Sequence, residues 1–561
     1  MGIGDLVPRL YSSFRGVDFR GEEVNLTRSP DSLNMWKDYK ETESIRTRPG
    51  IAPVHLFDTP VWGMFFYEVG NRRMQLIHSG TKLYQYENET MTELYEGLNP
   101  RKSQAFVYNN IWYFKDGINY LQYDGQTVQD VIGYIPTTTI GKKPNGGGTT
   151  YEDINMLTGL RINTFLADGE STEFHLDAQD LDSDYLPVVK VNEDVNENFT
   201  INYSDGVVTF AKAPEKPLTD GQDNVSVQFK KTVPGYKDRI AKCTLLAVFD
   251  NRVFFSGNQD YPNVVWHCSL NDPTYCSDYD YYNEGQDLAA VKGLVPGNDA
   301  LWVFKEQSQA NTAIFYHKPV TDNAYGKIYP STHSSISTGC VGGAINFNDD
   351  IVFFSDRGME AMNGEITTEQ VIAHRSMMVD AKLLSESAYE EMLLEEWEGY
   401  LLVFVDNKVY LADSRGIFSN ENHMEYEWFY WELEQSITCT LVHEGVLYLG
   451  TKEGIYTLTD TEAAVESYWV TPKDKFQHPQ YQKTTNKRGC VVEATGDITL
   501  SVKTDKTEWE EIGKYSDITD YMVSRIKKKK FKDIQLRFHS DKRFSLESAT
   551  LECYIGGYIK R

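Results

Sequence analysis

A hairpin pattern that recurs seven times restricts the folds open to this chain more than any other feature of its sequence. Each copy has an apolar strand, a short turn rich in Gly, Asn, Asp or Glu, and a second strand dense in aromatic and β-branched residues. This pattern is typical of a tight antiparallel β-hairpin. The seven copies read MFFYEVGNRRMQLI from Met64, AFVYNNIWYF from Ala105, LAVFDNRVFF from Leu246, GLVPGNDALWVF from Gly293, AINFNDDIVFF from Ala344, LEEWEGYLLVF from Leu394 and TLVHEGVLYLG from Thr440.

The spacing between the hairpins indicates how they assemble. The third residue after each turn serves as an anchor, and the anchors are Met74, Tyr113, Phe254, Trp302, Phe353, Leu402 and Tyr448. Successive anchors are 39, 141, 48, 51, 49 and 46 residues apart. A period of about 40 to 50 residues, with one small antiparallel sheet in each unit, is typical of a β-propeller. A β-sandwich does not keep so even a spacing, so we predict an all-β chain built on a β-propeller of six or seven blades.

The single long gap predicts a domain inserted between the second and third blades. The glycine-rich stretch 141–148 has the composition of a flexible linker at one border, and a Pro-Gly turn at 234–235 marks the other. Short alternating runs between these borders indicate a β-sandwich, and similar runs follow residue 471. The predicted domains are an N-terminal extended segment joining the propeller (1–60), blades one and two (61–140), an inserted β-sandwich (141–236), the remaining blades (237–470) and a C-terminal β-sandwich (471–561). One helix is predicted within 376–395, between two blades.

Charge is distributed unevenly along the chain. The formal net charge is -27, which argues against general binding of nucleic acid. Residues 471–561 carry 19 Lys and Arg against 13 Asp and Glu, whereas residues 1–470 carry 36 against 69. The asymmetry indicates that the C-terminal part faces an acidic neighbour, or that it has a solvated basic face. The run Arg525–Lys530 allows the same two interpretations, with contact to nucleic acid as a third.

The seven cysteines are scattered and form no C-x-x-C pair, so neither a disulfide framework nor a zinc site is indicated. The N-terminus has no apolar stretch of signal-peptide length, and no run of 18 apolar residues occurs. These features predict assembly in a reducing cytoplasm.

Sequence motifs of catalysis and cofactor binding are absent. Asp180, Asp182 and Asp184 imitate the start of a calcium loop, but Val191 stands where the bidentate Glu belongs. Of the eleven histidines, His78, His267 and His443 fall in predicted strands, where a hydrogen-bonded structural role is expected. We therefore expect no catalytic, cofactor-binding or metal-binding residue, no cofactor, and a chain that is not an enzyme.

Two N-terminal segments carry a family resemblance. LTRSPDSLNM at 26–35, followed by IRTRPGI at 45–51, resembles the opening of the tail nozzle, or packaged-DNA stabilisation, proteins of short-tailed bacteriophages. In that family an Asn-containing strand leads to an Arg-Pro-Gly turn just before the first blade. The inserted segments DGESTEF at 168–174 and DGVVTFAKAP at 205–214 resemble sandwich modules of phage tail proteins.

The resemblance implies a homo-hexameric ring in the phage tail of the virion, assembled in the host cytoplasm. Its implied partners are other copies of the chain, the portal, adaptor and other tail proteins, DNA that passes through the channel without specific binding, and the host cell surface. The implied function is to retain packaged DNA and to conduct it during ejection, and the family has no catalytic residues to transfer. Acidic channel walls suit this function because they repel phosphate.

Two other functions remain open at this point. The first is a tail-associated propeller that binds a host receptor or carbohydrate, for which exposed pockets lined by aromatic side chains would be evidence. The second is a glycosidase, which requires two carboxylates facing one pocket.

Overall fold

The computed structural model describes residues 6–38, 40, 44–297, 299–308, 312–323, 326–362, 372–420, 423–461, 464–527 and 529–558. The chain forms two compact units. Unit 1 comprises Met1–Met64 and Ser334–Arg561, and unit 2 comprises Phe65–His333. Strands are numbered along the chain. Unit 1 begins with β1 Leu6–Ser12, β2 Ser32–Leu33, β3 Met35–Trp36, β4 Ile45–Thr47 and β5 Gly50–Leu56.

Two four-stranded antiparallel sheets open the propeller part of the chain, and in each the strands follow sequence order. The first sheet begins with a strand that starts in unit 1, and the rest of both sheets lies in unit 2. Their strands are β6 Val61–Val69, β7 Arg72–Ser79, β8 Lys82–Glu87 and β9 Thr90–Glu96, then β10 Gln104–Tyr108, β11 Ile111–Lys115, β12 Tyr120–Tyr123 and β13 Val128–Asp130.

The inserted module of unit 2 is a β-sandwich. A six-stranded sheet (β15-β14-β16-β22-β18-β19) and a three-stranded sheet (β17-β21-β20) enclose a core in which Phe174 contacts Phe165 and Phe210 edge to face. The elements are β14 Thr137–Lys142, β15 Thr149–Thr150, β16 Leu160–Phe165, β17 Glu173–His175, β18 Val188–Val191, β19 Asp194–Val195, β20 Phe199–Asn202, β21 Val207–Phe210 and β22 Val225–Lys230. Helix α1 Tyr236–Ala241 follows the module, and its Ile240 packs in the core of the neighbouring blades.

The stretch 141–148, which its composition indicates as a linker, is part of this module. Lys142 ends β14, and Lys143 and Gly146 form an antiparallel bridge. Gly146, Gly147 and Gly148 all have positive φ. The glycines therefore allow the chain to turn back from β14 into β15.

Unit 2 ends with two more four-stranded antiparallel sheets, the second of which carries a small extra hairpin, β30–β31. Their strands are β23 Leu245–Phe249, β24 Arg252–Ser256, β25 Val264–His267 and β26 Tyr281–Asn283, then β27 Val291–Gly297, β28 Ala300–Lys305, β29 Ile314–His317, β30 Val320–Asp322, β31 Gly326–Ile328 and β32 Ser331–His333.

Unit 1 contains the remaining propeller sheets. Their elements are β33 Ala344–Phe347, β34 Asp350–Ser355, β35 Gly358–Met362 and β36 Ile372–His374; α2 Asp380–Leu383 and a 3₁₀ turn Tyr389–Glu391; β37 Leu393–Trp397, β38 Tyr400–Val405, β39 Lys408–Asn420 and β40 His423–Glu432; and β41 Ile437–His443, β42 Val446–Thr451 and β43 Gly454–Thr459. The fourth strand of the last sheet is β5, which pairs with β43 from the other end of the sequence.

The C-terminal module of unit 1 is built from long antiparallel strands around a large apolar core. These are β44 Ser467–Val470, β45 Tyr481–Thr504, β46 Thr507–Ile518, β47 Tyr521–Ser524, β48 Lys530–Phe531, β49 Ile534–Ser540 and β50 Phe544–Tyr558. Through β3 and β4 they are hydrogen-bonded to the sheet of β37–β40, so the sixth hairpin belongs to a larger sheet of 15 strands.

The turns explain why the hairpins form. Asn109 and Asn110 have φ of 48° and 61°, and Asp250 and Asn251 have φ of 47° and 58°. Two successive residues with positive φ make a type I′ turn, whose twist matches that of the strands it joins, and Asn and Asp tolerate this conformation best. Each of the seven anchors lies in the second strand of its sheet, namely β7, β11, β24, β28, β34, β38 and β42.

The helix predicted within 376–395 is wrong in extent. The segment holds only the four residues of α2 and the 3₁₀ turn, separated by two serines that favour turns over helix interiors. From Leu393 the chain becomes β37, because its residues pair with β38 from Leu393↔Phe404 to Trp397↔Tyr400.

The predicted fold class is confirmed. Among the described residues the chain is almost entirely β, with seven four-stranded antiparallel arrays of the kind that form propeller blades, an inserted β-sandwich and a C-terminal β-sandwich. No helix among the residues that the structure describes is long and apolar enough to span a membrane.

Candidate functional site

The residues that the sequence indicated as candidates are buried or hydrogen-bonded to other residues of the fold. His78, His267 and His443 lie in β7, β25 and β41, as predicted. Burial lowers the pKa of both His78 and His267 to about 4, so their rings are neutral at pH 7. The seven cysteines are buried, and no disulfide bond joins them in the part of the chain that the structure describes. Asp182 and Asp184, from the calcium-like segment, instead bind Thr232 and Lys230. No group of three or more His, Cys, Asp or Glu suited to a metal ion occurs among the residues described.

The two N-terminal segments that carry the family resemblance come together in unit 1. The guanidinium of Arg48 donates from Nε to Asn34 Oδ1 at 2.9 Å and from Nη2 to the Glu432 carbonyl at 2.9 Å. The backbone N–H of Arg48 donates to the carbonyl of Asn34 at 2.8 Å. Arg48 is buried, and this desolvation lowers its pKa to about 10. Through these hydrogen bonds, Arg48 and Asn34 connect the N-terminal strands to β40, so their role here is structural.

The most distinctive exposed surface of unit 2 is a group of tyrosines and carboxylates that we call the tyrosine surface. Three irregular segments form it: 131–136 before β14, 151–157 after β15, and 268–280 between β25 and β26. Its members are Tyr134, Tyr151, Glu152, Asp153, Tyr275, Asp278, Tyr279 and Asp280.

Asn155 holds the three segments together. It is buried, and its Nδ2 donates to the carbonyls of Tyr134 and Thr274 at 2.9 and 2.8 Å. Its Oδ1 accepts the backbone N–H of Cys276 at 3.1 Å, and its backbone bridges Ser277. One short side chain therefore fixes loops that are far apart in sequence, and the surface is preorganised.

The tyrosines present large aromatic areas to solvent. The exposed fractions of Tyr151, Tyr279 and Tyr134 are 64%, 74% and 39%. The ring of Tyr134 lies 5.1 Å from that of Tyr275 at an interplanar angle of 41°. Their hydroxyls are fixed, because Tyr134 donates to Glu152 Oε1 at 2.9 Å and Tyr275 donates to the Asp153 carbonyl at 2.9 Å.

Carboxylates lie among these rings. Asp278 Oδ2 accepts the Tyr236 hydroxyl at 3.1 Å, while Oδ1 is buried with no donor among the described residues. Asp153 Oδ2 accepts the Ser277 hydroxyl at 3.4 Å. Burial, opposed by Arg252 and reinforced by Asp153 and Asp278, raises the pKa of Asp280 to about 6. Burial also raises the pKa of Asp278.

The raised pKa of Asp280 predicts a pH dependence. In the unfolded chain this carboxyl has a pKa of about 4, so between pH 4 and pH 6 the folded state binds more protons than the unfolded state. Stability therefore falls as pH rises through this window. We expect Asp280→Asn to remove that loss and to raise the melting temperature at pH 7 relative to the native chain, but not at pH 4.

Asp168→Asn is the control, because hydrogen bonds from Ser171 and Glu170 lower the pKa of Asp168 to about 2 and make its charge stabilising. It should lower the melting temperature at pH 7. Equal melting temperatures for Asp280→Asn and the native chain at both pH values would contradict the assignment.

The sequence interpretation missed this surface. The segment 274–283 reads TYCSDYDYYN, in which tyrosines and aspartates crowd together without the alternation of a strand. That composition was the available signal, since exposed loops rich in Tyr are typical of recognition surfaces.

Comparisons with known proteins give similarity of structure only. No family model matches the chain, and no curated protein matches it. The structure of Hsv2 from Kluyveromyces lactis aligns with this chain at 9% sequence identity and a TM-score of 0.24. The alignment covers 67% of this chain and 98% of Hsv2. The extracellular domain of BT4673 from B. thetaiotaomicron aligns at 11% identity and a TM-score of 0.23, and the alignment covers 88% of this chain and 77% of that domain's chain. Exo-β-1,3-galactanase from Phanerochaete chrysosporium aligns at 10% identity and a TM-score of 0.20, and the alignment covers 93% of this chain and 99% of the galactanase chain.

The expectation of a chain that is not an enzyme is corrected by this comparison, because an exo-galactanase is among the similar structures. Similarities at this level concern the fold and assign neither a substrate nor a catalytic residue to the chain.

Proposed function

We propose that the chain is a tail-associated propeller protein of a short-tailed bacteriophage and that it binds carbohydrate of the host surface. The observation that carries the carbohydrate assignment is the tyrosine surface of unit 2. The phage assignment rests on the N-terminal segments 26–35 and 45–51.

The chemistry of sugars matches this surface. A pyranose ring has an apolar face of C–H groups, which packs against an aromatic ring, and an equatorial rim of hydroxyls, which donate hydrogen bonds to carboxylates. Tyr151 and Tyr279 supply exposed rings, and Asp153, which is also exposed, supplies a carboxylate beside them. Exposed aromatic rings beside a few oriented polar groups are the usual composition of a ligand site.

The test is binding of short neutral oligosaccharides, such as β-linked galactose, glucose and N-acetylglucosamine oligomers, by calorimetry. We expect Tyr279→Ala and Tyr151→Ala each to weaken binding about tenfold, equivalent to about 1.4 kcal/mol, because each removes an exposed stacking ring. Tyr521→Ala is the matched control, since Tyr521 is equally exposed but lies in unit 1. Equal losses in all three variants, or no binding of any oligomer by the native chain, would contradict the proposal.

A second candidate is the tail conduit that the resemblance implies: a homo-hexameric ring, joined to portal, adaptor and other tail proteins in the virion, that retains DNA and conducts it during ejection. The excess of acidic residues over 1–470 supports it, because DNA must slide without being held. Electron micrographs of the assembled chain should then show a ring whose hole admits duplex DNA, and a monomer would contradict it.

A further inference from the structure

The outer face of the C-terminal module has an ordered pattern of exposed apolar groups. Four antiparallel strands lie side by side there in the order β1, β50, β45 and β47. The register places Leu10, Thr550, Val491 and Val523 in one row across all four strands. The next row on the same face, two residues further along each strand, contains Ser12, Ser548, Glu493 and Tyr521.

The side chains of these rows point away from the core. Residues of the intervening row, Tyr11, Ala549, Val492 and Met522, are buried, and side chains alternate between the faces of a strand. Leu10, Val523 and Tyr521 are 56%, 58% and 61% exposed. Three of the four strands therefore contribute an apolar side chain to one row, in which Thr550 is the fourth member, so these apolar groups are aligned and not singly scattered.

Unneutralised basic residues lie at one end of this face. Lys487 and Arg488 lie in the irregular segment of β45 between Thr485 and Cys490, and Arg525 and Lys527 follow β47. All four are exposed, and none has an acidic partner within ion-pair distance among the described residues. Lys530 pairs with Thr484 in the same part of the sheet. Lys528 lies outside the described residues, so the run Arg525–Lys530 is described only in part.

We infer that this face, formed by Leu10, Val491, Tyr521 and Val523 with the basic group Lys487, Arg488, Arg525 and Lys527, binds the acidic surface of a second copy of the chain. Charge complementarity favours this occupant, because residues 1–470 carry 69 Asp and Glu against 36 Lys and Arg. The contact joins two different surfaces, and such a head-to-tail contact builds a ring or a filament. The inference deepens the second candidate function and does not depend on carbohydrate binding.

Sedimentation velocity of the full chain over a range of concentrations tests it. We expect self-association that weakens at least tenfold at about 1 M salt, where the screening length is roughly 3 Å. Arg525→Glu with Lys527→Glu should weaken it at least tenfold at low salt, and Val523→Asp should weaken it at every salt concentration. Lys452→Glu with Lys506→Glu is the control, because it makes the same charge change at exposed lysines elsewhere in unit 1.

The outcomes separate the two claims. If the chain assembles and the Arg525 and Lys527 variant assembles equally well, the docking face is wrong, but the ring function is not contradicted. If the native chain is monomeric at all concentrations, both are wrong. If the same variant instead loses binding to duplex DNA, measured by fluorescence anisotropy, and self-association is unchanged, the face is a nucleic-acid site and the inference is overturned.

Discussion

Replacing Glu284 with alanine is expected to destabilise unit 2 by about 3 kcal/mol, because it leaves the fully buried imidazole of His317 without its hydrogen-bond partner. Glu284 and His317 have fully buried side chains, and Nε2 of His317 lies 2.7 Å from Glu284 Oε1. The other carboxylate oxygen accepts the Ser331 hydroxyl at 2.6 Å. The variant therefore breaks one buried and one partly buried hydrogen bond at once.

The surroundings of His317 make this loss hard to repair. Its Nδ1 lies 2.8 Å from the carbonyl oxygen of Tyr329, which can only accept, so Nδ1 carries a proton. If Glu284 is removed, the described residues offer Nε2 no other hydrogen-bond partner. Lys305, also buried, donates from Nζ to the carbonyl of Glu284 and to Asp287, each at 2.6 Å, and so holds the backbone in place.

Glu93→Ala is the matched control in the same unit. Glu93 pairs with Lys82 at 2.9 Å, but both side chains are exposed, and such pairs contribute about 0–1 kcal/mol. The measurement is urea unfolding followed by hydrogen exchange in peptides from 281–333, which reports on unit 2 separately from unit 1. Equal midpoints for Glu284→Ala and Glu93→Ala would show that the buried network contributes nothing to stability.

The second large effect concerns the strand that completes the seventh sheet. Gly454 begins β43 with φ of +149° and pairs with Leu56 of β5. A Cβ at this position would overlap the carbonyl oxygen of His55 and lie 2.9 Å from Cα of Leu56. Backbone atoms cannot move away without breaking the ladder, so Gly454→Ala should destabilise unit 1 by about 3 kcal/mol or more.

Gly445→Ala isolates the steric effect. Gly445 also has positive φ, +79°, but no atom of the described residues lies within 4 Å of the position of its added Cβ. We expect it to cost only about 1 kcal/mol. Hydrogen exchange in peptides covering 50–56 should increase strongly in Gly454→Ala and little in Gly445→Ala. Unchanged protection of this strand in both variants would contradict the pairing of β5 with β43 as a source of stability.

The parts of the fold that local chemistry determines could be predicted from the sequence. Alternating aromatic strands around Asn109-Asn110 or Asp250-Asn251 specify a type I′ hairpin, whatever surrounds it. Even spacing of such hairpins then indicates blades.

Long-range pairing could not be predicted in the same way. The sequence places residues 1–60 against the propeller, but nothing local shows that β5 completes the sheet of β41–β43 or that β3 and β4 join the sixth sheet to the C-terminal strands. The helix predicted around Glu390 failed for a related reason, because strand pairing with β38 outweighs helix propensity.

The candidate site was missed because a distant contact creates it. Asn155 gathers Tyr134 and Thr274, which are 21 and 119 residues away from it. Asparagine in a loop has many roles, so its type alone does not reveal this one. Only the density of Tyr and Asp in 274–283 pointed to recognition.

The most direct test of the central claim is hydrogen exchange of the native chain with and without a saturating neutral oligosaccharide that binds it. Carbohydrate binding at the tyrosine surface predicts slower exchange in peptides covering 131–136, 151–157 and 268–280, with no change in 521–524 of unit 1. Protection confined to other parts of the chain, with these three segments unchanged, would contradict the assignment of the site.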